Sequence, residues 1–188
     1  MKPAFRDIPQ YSQAKYVVDV GWDYLEEWLN DHKTLKRGLE LDPEFQRGHV
    51  WTEAQQIAYV EYRLRGGIGA DAIYWNCPGW MGDWRGPMQL VDGLQRVTAV
   101  RRFLASEIPV FGFRRNEYTD KMRLNSGATF RVSVNDLSDY ADILQWYIDL
   151  NAGGIAHTAE EIARVRALRQ DVLTLRVGRT PKIAEEKT

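Results

Sequence analysis

The chain has 188 residues, enough for one domain with a helical appendage, and its 44% hydrophobic and 27% charged residues are those of a globular protein that buries a core. No apolar run approaches the ~20 residues of a bilayer span, no apolar signal-peptide core follows Met1-Lys2-Pro3, and the single cysteine, Cys77, excludes a disulfide framework and points to a reducing cytoplasm. With 25 Lys and Arg against 26 Asp and Glu the formal net charge is -1, which excludes a strongly basic nucleic-acid binder.

In chain order, residues 1–15, with Pro3 and Pro9, are expected to form a loosely held arm. Val20, Tyr24, Leu25, Trp28 and Leu29 then recur at helical spacing over about three turns, ending near His32. Gly38 to Leu41 alternates as a short strand that Pro43 stops. The loop from Asp42 to Trp51 carries more large and functional side chains than a linker requires. Thr52 and Gln55 form a capping box for a helix that turns Ile57, Val60 and Leu64 to the core and ends at Gly66-Gly67. Ala72 to Trp75 is a strand, and the loop from Asn76 to Pro87 holds Trp80 and Trp84, which either close it by packing or stack a base or sugar. Met88 to Val91 is a buried strand, after which Val97, Val100, Phe103 and Leu104 mark a helix. Ile108 to Phe113 is expected to be a strand, Asn116 to Gly127 irregular, and Phe130, Val132 and Val134 another strand. Ser138 or Asp139 caps a helix carrying Ile143, Leu144, Tyr147 and Leu150, which ends at Asn151-Ala152-Gly153-Gly154. Thr158 and Glu161 form a second capping box, for a helix running through Ile162, Val165 and Leu168 towards Leu173, with a frayed tail from Gly178. Ile57, Val60, Leu64, Val97, Val100, Leu104, Ile143 and Leu144 are the expected buried positions on their helices.

Chemistry concentrates at Asp92-Gly93-Leu94-Gln95-Arg96, a strand-to-helix turn. Such a turn offers backbone N–H groups and the positive end of the helix dipole to an anion, phosphate above all. Gly93 lets the backbone turn sharply or approach a ligand. Asp92 suits a divalent cation or a ribose hydroxyl, Gln95 both donates and accepts, and Arg96 presents a fork to phosphate oxygens. The same residues also describe an ordinary helix start, with Asp92 as N-cap and paired to Arg96. The basic residues Arg96, Arg101, Arg102, Arg114, Arg115, Lys121 and Arg123 are either a solvated face or a DNA track. His32, His49 and His157 are widely separated, so no metal-dependent nuclease cluster is expected; His49 is either an acid–base group or an ordinary histidine.

Three segments, Phe45-Gln46-Arg47 followed by Trp51, Asp92-Gly93-Leu94-Gln95-Arg96 followed by Thr98, and Leu150-Asn151-Ala152-Gly153-Gly154 followed by Glu160 and Glu161, together resemble the N-terminal domain of GmrSD-type restriction endonucleases. The resemblance spans about residues 38 to 170. It implies a small α+β fold of the ParB/sulfiredoxin-like superfamily, a small mixed sheet with packed helices and a helical C-terminal segment. The expected organisation is an arm and helix over 1–37, the nucleotide-binding domain over 38–175 and a tail over 176–188. In that family an Asp-Gly-Gln-Gln-Arg motif binds and helps hydrolyse a nucleoside triphosphate with Mg²⁺. Here Leu94 replaces the first Gln, which puts turnover in doubt more than binding.

What the resemblance implies for residues is that Phe45, Gln46, Arg47, Gly93, Arg96 and Asn151 hold the nucleotide, and that Asp92, Gln95, Arg96 and Gln46 serve hydrolysis, Asp92 holding the metal. Its expected partners are DNA and a nuclease or other defence-related protein in DNA restriction, defence or counter-defence, with no membrane. The HNH-type nuclease domain often coupled to it is not expected here. A non-enzymatic DNA- or protein-binding regulatory module is the alternative, and a nuclease of ParB type ranks below both.

Overall fold

Alternation of Val18, Val20 and Trp22 against exposed neighbours makes Tyr16–Gly21 a strand, β1. In this computed structural model residues 8, 10–35, 38–46, 48–80, 82–120, 127–152 and 159–177 are described. A 3-10 turn at Trp22–Tyr24 leads into helix α1, Leu25–Leu35. The remaining elements are β2 (Leu39–Glu40), α2 (Glu53–Leu64), β3 (Ala72–Asn76), β4 (Met88–Asp92), α3 (Leu94–Leu104), a second 3-10 turn (Arg115–Glu117), β5 (Thr129–Asn135), α4 (Tyr140–Ala152) and α5 (Ala159–Val177). The fold is thus mixed α and β, with one five-stranded sheet in the order β1-β5-β3-β4-β2. β1 runs antiparallel to β5 and β3 antiparallel to β4, while β3 with β5 and β4 with β2 are parallel.

The chain divides into two compact units, Met1–Ser138 and Asp139–Thr188. In the first, Leu25, Val60, Ile73, Trp75, Leu90, Val97, Val100, Phe130 and Val132 form one continuous core. The expected boundary at 37/38 does not divide it: β1 and α1 belong to the same core, because β1 pairs with β5 along its whole length. In the second unit α4 packs on α5, with Leu144, Trp146 and Tyr147 buried.

The capping box of α2 forms as expected. Thr52 Oγ1 accepts from Gln55 N–H and Gln55 Oε1 accepts from Thr52 N–H. Asp139 Oδ1 likewise accepts from Ala141 N–H at the start of α4. Of the eight positions expected inside, Val60, Val97, Val100, Ile143 and Leu144 are buried, whereas Ile57, Leu64 and Leu104 are half-buried at the margins of their apolar stripes.

Two expectations about elements are corrected. Val20 lies on β1 rather than on the first helix, since its neighbours satisfy a sheet partner far along the chain. Ile108 to Phe113 is not a strand. Val110 and Phe113 exchange both backbone bonds across a tight turn in which Phe111 and Gly112 have φ of +51° and +83°, so the run folds back on itself. The last helix runs to Val177. Thr158, half of the second expected capping box, and the tail from Gly178 lie outside the described residues.

Candidate functional site

The apolar run of β4 ends at Asp92, and the chain reverses through Gly93 into α3. Gly93 sits at φ +115°, and Ile73 of β3 lies where a side chain would be: a Cβ there would stand 2.5 Å from Ile73 Cγ2. Gly93 is the N-cap and no side chain caps the helix, so Asp92 does not fill that role. The first backbone bond of α3 is Val97 N–H to Gly93 O, 3.0 Å. The N–H groups of Leu94, Gln95 and Arg96 are left without an intrahelical acceptor at the positive end of the helix.

Arg96, one turn in, donates through Nη2 to Asp92 Oδ2, and both side chains are largely but not wholly buried. Leu94 packs against the core. On α2 the Tyr59 hydroxyl donates to Ala70 O at 2.8 Å. Burial pushes the Tyr59 phenol well above its ordinary range, against the opposing pull of Arg96 and Arg63, so it stays neutral.

The loop from Asp42 to Trp51 closes over this turn. Gln46 donates through Nε2 to Leu90 O on β4. Gln95 Oε1 accepts from the N–H groups of Val50 and Trp51, each at 3.0 Å, and Gln95 Nε2 donates to Gly48 O at 3.2 Å. The two segments expected to share a site therefore meet, joined by the amide groups of Gln46 and Gln95. The same bonds engage both ends of the Gln95 amide, so its part here is to hold the loop. Phe45, expected on the ligand, has 0% exposure; its ring anchors the loop in the interior.

Arg47 lies outside the described residues. Asn151 belongs to the C-terminal unit, where it is buried in α4 and donates through Nδ2 to Tyr147 O at 2.7 Å, one turn back in its own helix. Trp80 and Trp84 pack on each other with ring centres 4.7 Å apart and close the loop between β3 and β4. Cys77 is buried and takes part in no disulfide. Among the described residues no three His, Cys, Asp or Glu side chains gather as a metal cluster.

Beside the loop, Arg102 of α3 binds Glu53, Gln56 and Glu107, each at 3.0 Å, and joins α2 to α3. α3 also lines a cleft of about 410 Å³ with Glu26, Arg101 and Glu107, and none of the expected site residues reaches it. The Arg101 guanidinium is occupied there by both oxygens of Glu26.

His49 stands on the exposed rim of the loop. Partial desolvation, and then the positive charge of Arg102, hold its imidazole below the ordinary value of 6.5. Because the folded chain binds this proton less well than the unfolded chain, neutral His49 contributes its full stability above the ordinary imidazole range, and the contribution is lost as pH falls through that range. An NMR titration is expected to show His49 with a midpoint below that of an exposed histidine, and Arg102→Ala to move it up; an unchanged midpoint in the variant would remove Arg102 as a cause.

Tyr59, Gln56 and Arg63 were not singled out from the sequence. The signal was present in their spacing, since Gln56, Tyr59, Val60 and Arg63 make one continuous buried stripe along α2. No protein-family model, curated protein or solved structure matches this chain.

Proposed function

We propose that the chain is a nucleoside-triphosphate-binding module that takes the phosphates at the turn between β4 and α3. The observation that carries this reading is the uncapped first turn of α3, three N–H groups without an intrahelical acceptor beside the guanidinium of Arg96. Gly93 brings the backbone close, and Gln46 and Gln95 hold the neighbouring loop against the turn. A Mg²⁺ accompanying the nucleotide would be held by the carboxylate of Asp92 and would complete its shell with phosphate oxygens and water, the usual manner for this ion.

The three-segment resemblance to the GmrSD N-terminal domain supports the same reading. It also supports a ParB/sulfiredoxin-like fold and a role with DNA or a nuclease partner in restriction, defence or counter-defence, while the single cysteine, Cys77, supports a cytoplasmic setting. Among the described residues no helix is long and apolar enough to cross a membrane. The engaged Gln95 amide and the apolar Leu94 favour binding, with hydrolysis weak or dependent on a partner.

A second reading is a DNA- or protein-binding module in which the turn is structural. It is favoured by the Asp92–Arg96 pair and the Gln95 clamp, which satisfy one another without a ligand. Isothermal titration with ATP, GTP and CTP, with and without Mg²⁺, separates the two. The nucleotide reading expects heat with at least one of them, and Arg96→Ala is expected to weaken binding by about 1.5–3 kcal/mol, the value of a hydrogen bond to a charged group. Asp92→Ala is expected to remove the Mg²⁺ dependence. No heat with any nucleotide at millimolar concentration would end the first reading and leave the second.

A further inference from the structure

The turn between Val110 and Phe113 has positive φ at both central residues, a geometry that Asn-Gly fills best, yet its first central residue is Phe111, at φ +51°. A bulky side chain in the left-handed region is strained and persists only where its surroundings hold it there. Neighbouring elements supply that hold. Val110 and Phe113 exchange backbone bonds of 2.8 and 3.1 Å, and Glu61 of α2 accepts the Phe111 N–H at 2.8 Å. The Tyr118 hydroxyl donates to Val110 O at 2.6 Å, and the Arg65 guanidinium lies 4.9 Å over the Phe111 ring. The result is two phenylalanines held at the surface, Phe111 38% and Phe113 56% exposed.

The arginines around this turn differ from those of α3. Arg96, Arg101 and Arg102 are each held by carboxylates, of Asp92, of Glu26, and of Glu53 with Glu107. Among the described residues no carboxylate forms an ion pair with Arg65, Arg114 or Arg115. Arg65 stacks on Phe111, and Arg114 Nη1 donates to the carbonyls of Ser106 (2.6 Å) and Glu107 (2.8 Å). Glu61 and Glu117 turn carboxylate oxygens to the N–H groups of Phe111 and Arg114 instead. Guanidinium groups that no carboxylate occupies are open to phosphate.

We propose that this turn is a platform for single-stranded nucleic acid, with bases stacked on Phe111 and Phe113 and phosphates met by Arg65, Arg114 and Arg115. Aromatic faces beside arginines hold a single strand with little regard to sequence. A duplex keeps its base faces covered, and an acidic peptide offers charge without them. The platform uses no residue of the proposed triphosphate site, so it stands or falls apart from nucleotide binding.

Fluorescence anisotropy of labelled dT and dA strands of about 12 nucleotides, titrated with the full chain at about 50 mM salt, tests it. Both strands are expected to bind, with log K falling against log salt at a slope of about −2, the value for three phosphate contacts. Phe111→Gly relieves the positive φ and Phe113→Leu keeps the apolar bulk, so both are expected to fold, as urea unfolding will check. Each is expected to weaken binding about fivefold or more, and Phe113→Tyr to preserve it. Arg65→Met is expected to reduce the magnitude of the salt slope by about 0.7, and Arg101→Gln, whose arginine is already paired with Glu26, to leave binding unchanged. No binding of either strand overturns the proposal, as does full binding by both folded phenylalanine variants. A duplex bound as tightly as the single strand also overturns it, and so does a poly-glutamate peptide bound that tightly, which would make the turn a protein-docking surface.

Discussion

Gly93→Ala is expected to destabilise the fold by about 2–5 kcal/mol and to abolish any binding at the turn between β4 and α3. Two costs add. A side chain at φ +115° is in a conformation that costs an L residue about 1–2 kcal/mol. The new Cβ would also lie 2.5 Å from Cγ2 and 3.1 Å from Cβ of Ile73, which is fully buried in β3 and has no space to retreat into, and overpacking of that kind costs about 1–3 kcal/mol. Urea unfolding monitored by tryptophan fluorescence measures the total. A second substitution identifies its cause: Ile73→Ala removes the methyl in the way, so the double variant is expected to lose clearly less than the sum of the single losses. Full additivity would show that the contact with Ile73 is not the source of the strain.

Arg63→Met is the second large effect, expected at about 3–5 kcal/mol, the cost of removing one partner from a buried charged network. Arg63 sits on the buried stripe of α2 with only 5% of its side chain exposed. Its Nη1 donates to the carbonyls of Gly67 (2.6 Å) and Gly69 (2.7 Å), its Nη2 donates to that of Thr129 (3.4 Å), and the carboxylate of Asp71 lies 3.9 Å away. The arginine thus ties the end of α2, the loop that follows it and the start of β5 into one piece. Methionine fills much of the volume but leaves the carbonyls without their donor, so the loss is one of hydrogen bonding rather than of packing. For a chain of this size the thermal midpoint is expected to fall by on the order of 10 °C. Arg65→Met, two residues on, removes only a stacking contact 4.9 Å above the Phe111 ring and is expected to cost about 0.5–1 kcal/mol. Equal losses at the two arginines would refute the network.

Where a property depends on neighbours in sequence, the amino-acid sequence determined it. The capping box of Thr52 and Gln55, the strands at Ala72 and Met88, the alternation of Phe130, Val132 and Val134, and the turn from strand to helix at Asp92-Gly93 all follow from periodicity and end signals a few residues long. Where a property depends on a partner far along the chain, only the tertiary structure decided it. Val18 and Val20 are too few to declare a strand before a helix of similar composition, and it is pairing with Phe130 and Val132 that makes them one. The run from Ile108 to Phe113 has a strand's composition, but two residues at positive φ fold it into a turn before it can find a neighbour. Gln95 and Arg63 were both legible as polar groups, yet their partners lie on the loop at Gly48 to Trp51 and at Gly67, Gly69 and Thr129. A side chain's hydrogen-bonding capacity is written in its residue type, while the choice between a ligand and a backbone carbonyl is made by whichever group folding brings within 3 Å.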